Sequence, residues 1–265
     1  MDIEVIATDL DGTLLDDEGR VSARTVRTLG RVRARGVAVV AVTARPPRVF
    51  DEWRELGGVV DAAICSNGGL TYVPGERRVE SVRALDAGVA AVVVKALRAV
   101  VPSAAFAVET GFTVLAEPGY GWVDSVGHRR QRVGSFEEVL VRADQIVKLL
   151  MHDAAGRADE MVAAVRAAGV DGVEVSHSGG SGLVEMCAAG VSKATALERW
   201  CAGRGVGPQG VVAFGDAPND VPMLSWAGRS FAMADAHAEA VAAASGRAGS
   251  NNADGVARVV EALVG

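Results

Sequence analysis

The chain's 265 residues are enough for one large domain or two modest ones with a sizeable buried core. Twenty-seven Lys and Arg against 33 Asp and Glu give a formal net charge of −6, which argues against broad phosphate-driven binding to nucleic acid or to an anionic membrane surface; any phosphate site has to be locally positive. Apolar residues make up 49% and aromatics only 5%, so the core is built mainly from Ala, Val and Leu and the chain is expected to be globular. Cys65, Cys187 and Cys201 are odd in number and widely spaced, and they indicate neither a disulfide framework nor a zinc site. The acidic start Met1-Asp2-Ile3-Glu4 is wrong for a secretory n-region. Apolar runs of about six residues fall far short of the roughly 20 that a bilayer span needs. A cytoplasmic protein with no membrane or nucleic-acid partner is expected.

Residues 3–8 form a short, β-branched stretch that runs into Asp9-Leu10-Asp11-Gly12-Thr13, which predicts a buried strand ending in a polar loop. Ser22 is placed to cap a helix reaching about Ala34, and Gly36 stops it. The near-continuous apolar run 37–42, ending at Thr43, predicts a second buried strand, and strand, helix, strand implies a parallel pair. Beyond Pro46 and Pro47 a helix is expected over 49–56, then a short strand over 62–66 leading into Asn67-Gly68-Gly69. Segments 70–73 and 79–82, joined through Pro74-Gly75-Glu76, read as a hairpin.

The middle of the chain differs. A helix from about Ala87 to Val101, short strands near 104–108 and 113–116, and a polar stretch with Tyr120, Trp122, His128, Arg129 and Arg130 precede strands over 146–151 and 173–176 that flank a helix near 158–168. That is an α+β unit of its own. The βα pattern resumes with a helix over 192–203, a strand over 211–214 ending in Gly215-Asp216, and a short strand over 230–233. No internal repeat is visible, and Ala-rich helices such as 238–244 are the nearest approach to low complexity.

In a parallel α/β sheet, ligands bind beyond the carboxyl ends of the strands, and three predicted strands here end in Asp9-x-Asp11, Thr43 and Asp216. Asp9 and Asp11 stand roughly 6–7 Å apart with both side chains on one side, where extended chain gives way to loop. Two carboxylates that close repel unless a cation or a shared proton relieves them; an Asp-Gly turn is the plain alternative. Taken singly, Lys193 also suits a solvated first helical turn, and Thr43, Asp216 and Asp220 suit helix caps. The four-residue spacing of Asp216 and Asp220 after a strand-terminal glycine is hard to explain by capping alone. Ser178-Gly179-Gly180-Ser181-Gly182 has the composition of a phosphate loop, lacks the following Lys-Ser/Thr, and reads as a flexible turn. His128, His152, His177 and His237 show no ligand spacing.

Asp9-Leu10-Asp11-Gly12-Thr13 resembles the first motif of the haloacid dehalogenase-like phosphohydrolases. Val42-Thr43-Ala44-Arg45 is similar to their second motif, Ser192-Lys193 to the third, and Gly215-Asp216-Ala217-Pro218-Asn219-Asp220 to the fourth, in that order. Ser66-Asn67-Gly68-Gly69 and the segment from Ser250-Asn251-Asn252 to Val256 resemble the Cof-type subfamily, so the likeness spans nearly the whole chain. Met233-Ala234-Asp235-Ala236 departs from the Gly-Asn-Ala of many relatives, and Gly69 from their usual Ala; neither concerns the nucleophile or the metal.

The resemblance implies an α/β fold: a Rossmann-like, mostly parallel sheet core from 1–81 and 188–265, with an inserted α+β cap domain, 82–187, that closes over the site. It makes Asp9 the nucleophile that forms an aspartyl-phosphate, and Asp11 the acid and base that protonates the leaving alkoxide and then deprotonates the water. Mg²⁺ is implied as cofactor, held by Asp9, the Asp11 backbone carbonyl and Asp216, with Asp220 as a ligand or close partner. Lys193, Thr43 and Asn219, with the backbone amides of Leu10, Asp11 and Ala44, are expected to hold the phosphoryl group, and Arg45 and Asn67 the rest of the substrate. The function implied is a Mg²⁺-dependent phosphatase acting on a small phosphorylated metabolite, a sugar phosphate in the first instance. A sugar phosphomutase and a non-catalytic phospho-acceptor module are the competing readings. The oligomeric state is left open.

Overall fold

The structure is a computed structural model, and it describes residues 3–121, 129–179 and 182–264. Trp122 and His128 of the polar stretch, and Gly180 and Ser181 of the glycine-rich turn, lie outside the described residues. The chain divides into two compact units, one formed by Met1–Ser81 with Ser192–Gly265 and the other by Val82–Val191.

The first segment carries β1 (Val5–Thr8), α1 (Ala23–Ala34), β2 (Ala38–Val42), α2 (Arg54–Gly57), β3 (Ala62–Cys65), β4 (Leu70–Val73) and β5 (Arg78–Val82). Ser22 starts α1 by accepting the Thr25 N–H at 3.0 Å, and Gly36, at φ +85, turns the chain into β2. The helix expected over 49–56 is instead a 3₁₀ turn at Pro47–Asp51 followed by the single turn of α2. The inserted unit adds α3 (Ala87–Val100), β6 (Ala105–Glu109), β7 (Val114–Ala116), β8 (Arg130–Arg132), α4 (Phe136–Arg142), β9 (Lys148–His152), α5 (Ala158–Ala167), β10 (Val173–Ser176) and β11 (Leu183–Ala188). The last segment supplies α6 (Lys193–Ala202), β12 (Val211–Gly215), α7 (Val221–Trp226), β13 (Arg229–Ala232), α8 (Ala238–Ala243), β14 (Gly246–Arg247) and α9 (Gly255–Val264).

In the first unit eight strands run in the order β14-β13-β12-β1-β2-β3-β4-β5. From β14 to β3 every pairing is parallel, and β4 turns back antiparallel on β3. β1 sits between β2 and β12 and is buried along its whole length, which is why Val5-Ile6-Ala7-Thr8 reads as a continuous apolar run rather than an alternation. One core cluster packs Val5, Val40, Ile64, Leu197, Trp200 and Val211 together. This is the Rossmann-like arrangement the motifs implied.

The inserted unit holds a six-stranded sheet, β10-β11-β9-β6-β7-β8. Its pairings are antiparallel except β7 with β8. A core cluster around Phe106, Leu149 and Met186 takes in apolar residues of α3, α4 and α5. The expected boundary at 187/188 lies inside β11, a strand the sequence reading missed. β11 pairs with β9 and β10, so the inserted unit runs on to Val191. Also missed were β8, α4, β14 and α9. Among the described residues, no helix is long and apolar enough to cross a membrane.

Candidate active site

Parallel pairing sets the site. The Asp9 N–H donates to the Phe214 carbonyl at 3.0 Å, which keeps the end of β1 beside the end of β12, where Gly215 and Asp216 follow. After Asp9 the chain makes one wide turn over Leu10–Leu14, closed by the Leu15 N–H on the Leu10 carbonyl at 2.9 Å. Gly12 holds the bend at φ +71, and a Cβ there would lie 2.5 Å from Asp216 Oδ2. Glycine is thus required twice, for the conformation and for the close approach. Thr13 Oγ1 donates to Asp216 Oδ1 at 2.6 Å. The motif showed Thr13, but its task depends on a partner 203 residues away.

Lys193 opens α6, which begins with a reciprocal cap: the Thr195 N–H donates to Ser192 Oγ and the Ser192 N–H to Thr195 Oγ1. Its side chain is only 1% exposed, and Nζ donates to Asp9 Oδ1 at 2.8 Å and to Asp220 Oδ1 at 2.7 Å. Asp220 Oδ2 accepts the N–H groups of Asp216 and Ala217, both at 3.0 Å. Both oxygens of Asp220 are therefore engaged in shaping the loop and holding Lys193. Gly215 is needed for this, since a Cβ on it would come within 2.6 Å of Asp220 Cβ.

The loop after β2 carries the next residues. Thr43 is fully buried, and its Oγ1 accepts the Arg45 N–H at 3.1 Å, with Ala44 between them. Arg45 grips Asp11 with two hydrogen bonds, Nε to Oδ2 at 2.7 Å and Nη2 to Oδ1 at 2.6 Å, and lies over the Trp53 ring. Arg45, expected to face substrate, thus holds the proposed acid and base. Ser66, Asn67 and Gly68 all have positive φ, and this turn is tied to the β2 loop by Ser66 N–H to the Arg45 carbonyl and Asn67 N–H to the Thr43 carbonyl. A Cβ at Gly68 would lie 2.3 Å from the Ser192 carbonyl oxygen. Asn219 Nδ2 donates to Asn67 Oδ1 at 3.0 Å, bringing those two residues together.

Asp9, Asp216 and Asp220 each offer a carboxylate oxygen within 4.8 Å of the others. Burial pushes Asp9 well above the usual carboxylate range, opposed by Lys193. Burial, with the neighbouring Asp220 charge, lifts Asp216 to about 6. Burial works against the charge of Lys193, yet the Asp220 and Asp9 carboxylates together raise its pKa above the ordinary lysine value. One ammonium among three carboxylates leaves excess negative charge on a set of hard oxygen donors. That donor chemistry fits a divalent cation of the Mg²⁺ type.

Further residues brace the loop that follows the site. Asn251 Nδ2 donates to the Leu15 carbonyl and to Asp17 Oδ1, and Asn252 exchanges two hydrogen bonds with Asp17. The sequence pattern contained these asparagines without indicating their partner. Of the histidines, His237 uses its backbone N–H to hold the Asp216 carbonyl at 2.7 Å, His177 pairs with Asp159, and His152 meets Tyr120 edge-on.

The sequence model of the haloacid dehalogenase-like hydrolase family matches residues 6–260. A 5-amino-6-(5-phospho-D-ribitylamino)uracil phosphatase of Escherichia coli (strain K12) is 29% identical over 278 residues, covering 100% of this chain and 97% of that protein. A phosphoglycolate phosphatase of Halorubrum lacusprofundi is 33% identical over 258 residues, covering 97% of this chain and 96% of that protein. The solved structure of a haloacid dehalogenase-like hydrolase from B. subtilis is similar with a TM-score of 0.84 at 23% identity, covering 99% of this chain and 100% of that one.

Proposed function

The chain belongs to the haloacid dehalogenase-like hydrolases, Cof type, and we propose that as a phosphoric monoester hydrolase it opens esters of small phosphorylated metabolites through an aspartyl-phosphate on Asp9. The observation that carries this reading is the buried carboxylate of Asp9 at a strand end, 2.8 Å from Lys193 Nζ and two residues from a second carboxylate that is half-exposed. Asp9 attacks phosphorus, the P–O bond to the alcohol breaks, and Asp11, released from Arg45 and carrying a proton taken from solvent, gives that proton to the leaving oxygen. Asp11 then takes a proton from the water that splits the aspartyl-phosphate, releasing inorganic phosphate. One carboxylate cannot be nucleophile and proton carrier in the same step.

Lys193, Thr43 and Asn219, with the amides of Leu10, Asp11 and Ala44, orient the phosphoryl oxygens and offset the charge that builds on them. Arg45 keeps Asp11 aimed until substrate arrives, and Asn67 lines the substrate beside Asn219. Asp9, Asp216 and the Asp11 carbonyl would hold Mg²⁺, which when bound supplies Lewis-acid polarisation of a phosphoryl oxygen; Asp220 supports the cluster through Lys193 and two amides. Thr13 steadies Asp216 for that task. Substrate choice is assigned to the inserted unit acting as a cap, and the place of work to the cytoplasm; the latter is supported by three buried cysteines, none in a disulfide among the described residues.

The named activities of the two curated relatives, a ribitylaminouracil phosphatase and a phosphoglycolate phosphatase, support phosphorylated small metabolites as substrates. Phosphate release from a panel of sugar, polyol, nucleotide and cofactor phosphates, with Mg²⁺ and with EDTA, tests the reading. Mg²⁺-dependent release is expected. Transfer of the phosphoryl group to another position of the sugar, without release, would replace the hydrolase by the mutase.

A further inference from the structure

The 250–256 segment stands out in the sequence, and none of its side chains takes part in the chemistry above. In the fold it lies against the end of the turn that carries Asp11. Asn251 Nδ2 donates to the Leu15 carbonyl at 2.9 Å and to Asp17 Oδ1 at 3.0 Å. Asn252 Nδ2 donates to Asp17 Oδ2 at 2.9 Å, and its Oδ1 accepts the Asp17 N–H at 3.0 Å. A carbonyl and a carboxylate only accept, so Asn251 has to turn its NH₂ toward both. Hydrogen bonds from Asn251 and Asn252 hold the Asp17 carboxyl below the usual carboxylate range.

This clamp is mounted on stiff backbone. The Ser250 carbonyl accepts the N–H groups of Ala253 and Gly255, both at 3.0 Å, and the Ser250 hydroxyl accepts that of Asn252 at 3.3 Å. Asp254 completes the turn at φ +57, and α9 begins at Gly255. A Cβ on Gly255 would lie 2.3 Å from the Gly249 carbonyl oxygen, so two stretches of backbone touch there. Further along, Arg24 and Thr28 of α1 both donate to Glu261 of α9.

Leu15 is buried, and its peptide groups are held from both sides. Its N–H closes the wide turn on the Leu10 carbonyl, and its own carbonyl takes the Asn251 amide. Asp11 lies inside that turn in extended backbone, at φ −69 and ψ 129. In the resting site Arg45 grips its carboxylate. Arg45 has to let go before Asp11 can carry a proton. From then on the aim of Asp11 depends on the turn, which Thr13 fixes in its middle on Asp216 and Asn251 fixes at its far end on Leu15.

We propose that Asn251 is a positioning residue: by tying the Leu15 carbonyl to the 250–255 turn, it keeps Asp11 aimed at the leaving oxygen while the proton moves. This rests on the phosphatase reading above, in which Asp11 protonates the leaving alkoxide. A misplacement of about 1 Å costs on the order of 10²-fold in a step that needs the displaced group. Attack by Asp9 on an ester whose leaving group is stable as an anion does not need that proton.

The test uses the full chain with Mg²⁺ and two esters: benzyl phosphate, whose alkoxide has to be protonated, and p-nitrophenyl phosphate, whose phenolate leaves without a proton. For both, kcat/KM reports the steps up to release of the alcohol or phenol, so breakdown of the phosphoenzyme does not enter. Asn251→Asp keeps the shape and replaces the donor by an acceptor facing the Leu15 carbonyl and Asp17. It should lower kcat/KM for benzyl phosphate by about tenfold or more and leave p-nitrophenyl phosphate within about threefold. The ratio of the two esters is independent of how much of the sample is folded. Asn251→Ala removes the donor without adding a charge; it should shift the ratio the same way, and it carries the test if Asn251→Asp does not fold. An equal fall on both esters, an unchanged ratio, or a shift in Asn251→Asp alone overturns the proposal. Absence of hydrolysis of either ester by the wild type would instead count against the phosphatase reading, and the proposal would fall with it.

Discussion

Lys193→Met puts the greatest load on the proposed chemistry. The ammonium is buried, and it bridges Asp9 at 2.8 Å and Asp220 at 2.7 Å, so its removal leaves Asp9, Asp216 and Asp220 without a fixed counter-charge. Loss of one preorganised electrostatic contact to a transferring group costs about 3–4 kcal/mol, which is a fall of about 10²–10³ in kcat/KM. The loss should fall on kcat, because the charge that Lys193 offsets grows as phosphorus is attacked. Methionine keeps much of the stem's packing, but breaking a buried ion pair on one side destabilises by about 3–5 kcal/mol. Circular dichroism and thermal melts must therefore accompany the steady-state assay with p-nitrophenyl phosphate at saturating Mg²⁺. A folded variant that loses less than about tenfold would refute the assignment and return Lys193 to a structural role.

Gly12→Ala forces a Cβ to within 2.5 Å of Asp216 Oδ2 at a φ of +71; we expect a stability loss of about 1–2 kcal/mol and at least tenfold weaker activation by Mg²⁺, and a variant with an unchanged Mg²⁺ titration would contradict the turn's role. In EDTA, thermal stability should rise as pH is lowered through about 6, because Asp216 is lifted from 3.8 to about 6 in the fold. A carboxyl with a raised folded pKa stabilises fully below its unfolded value and loses that contribution as pH climbs through the folded one. Mg²⁺ should accordingly raise Tm more at pH 7.5 than at pH 5, and differential scanning fluorimetry showing the reverse order would count against the cluster as the cation site. Replacing 82–191 by a short linker should leave p-nitrophenyl phosphate hydrolysis in place and flatten the ranking of natural phosphates, because Asp9, Asp11, Thr43, Lys193 and Asp216 all lie in the other unit; an unchanged ranking would move selectivity to that unit's own loops.

The core sheet was legible because buried parallel strands read as unbroken apolar runs that stop at polar residues, as at Thr8–Asp9, Val42–Thr43 and Gly215–Asp216. β11 was not legible, since Glu185 occupies a position that alternation would give to solvent, and the strand's place depends on Lys148 of a distant segment. α4 is only seven residues long, and α9 starts within the 250–256 segment, so neither stands out as a helix by length or boundary signals alone. Within the site, residue types and their order pointed to a carboxylate cluster with a lysine. The Arg45 grip on Asp11, the Thr13 bond to Asp216 and the saturation of both Asp220 oxygens were not visible, because each is set by which loops the parallel pairing brings side by side. Spacing of four between Asp216 and Asp220 left ligand and support indistinguishable until the amide partners were known.

The covalent step at Asp9 is tested most directly by trapping. The protein with Mg²⁺ and a turning-over phosphomonoester is quenched in acid within milliseconds, treated with borohydride to reduce any acyl phosphate, digested and sequenced by mass spectrometry. Reduction of Asp9 to homoserine is expected, with no reduction of Asp11, and neither label nor turnover in a folded Asp9→Asn variant. A label on another residue, or an unlabelled Asp9 in a sample that is turning over with phosphoenzyme breakdown shown to be rate-limiting, would contradict it.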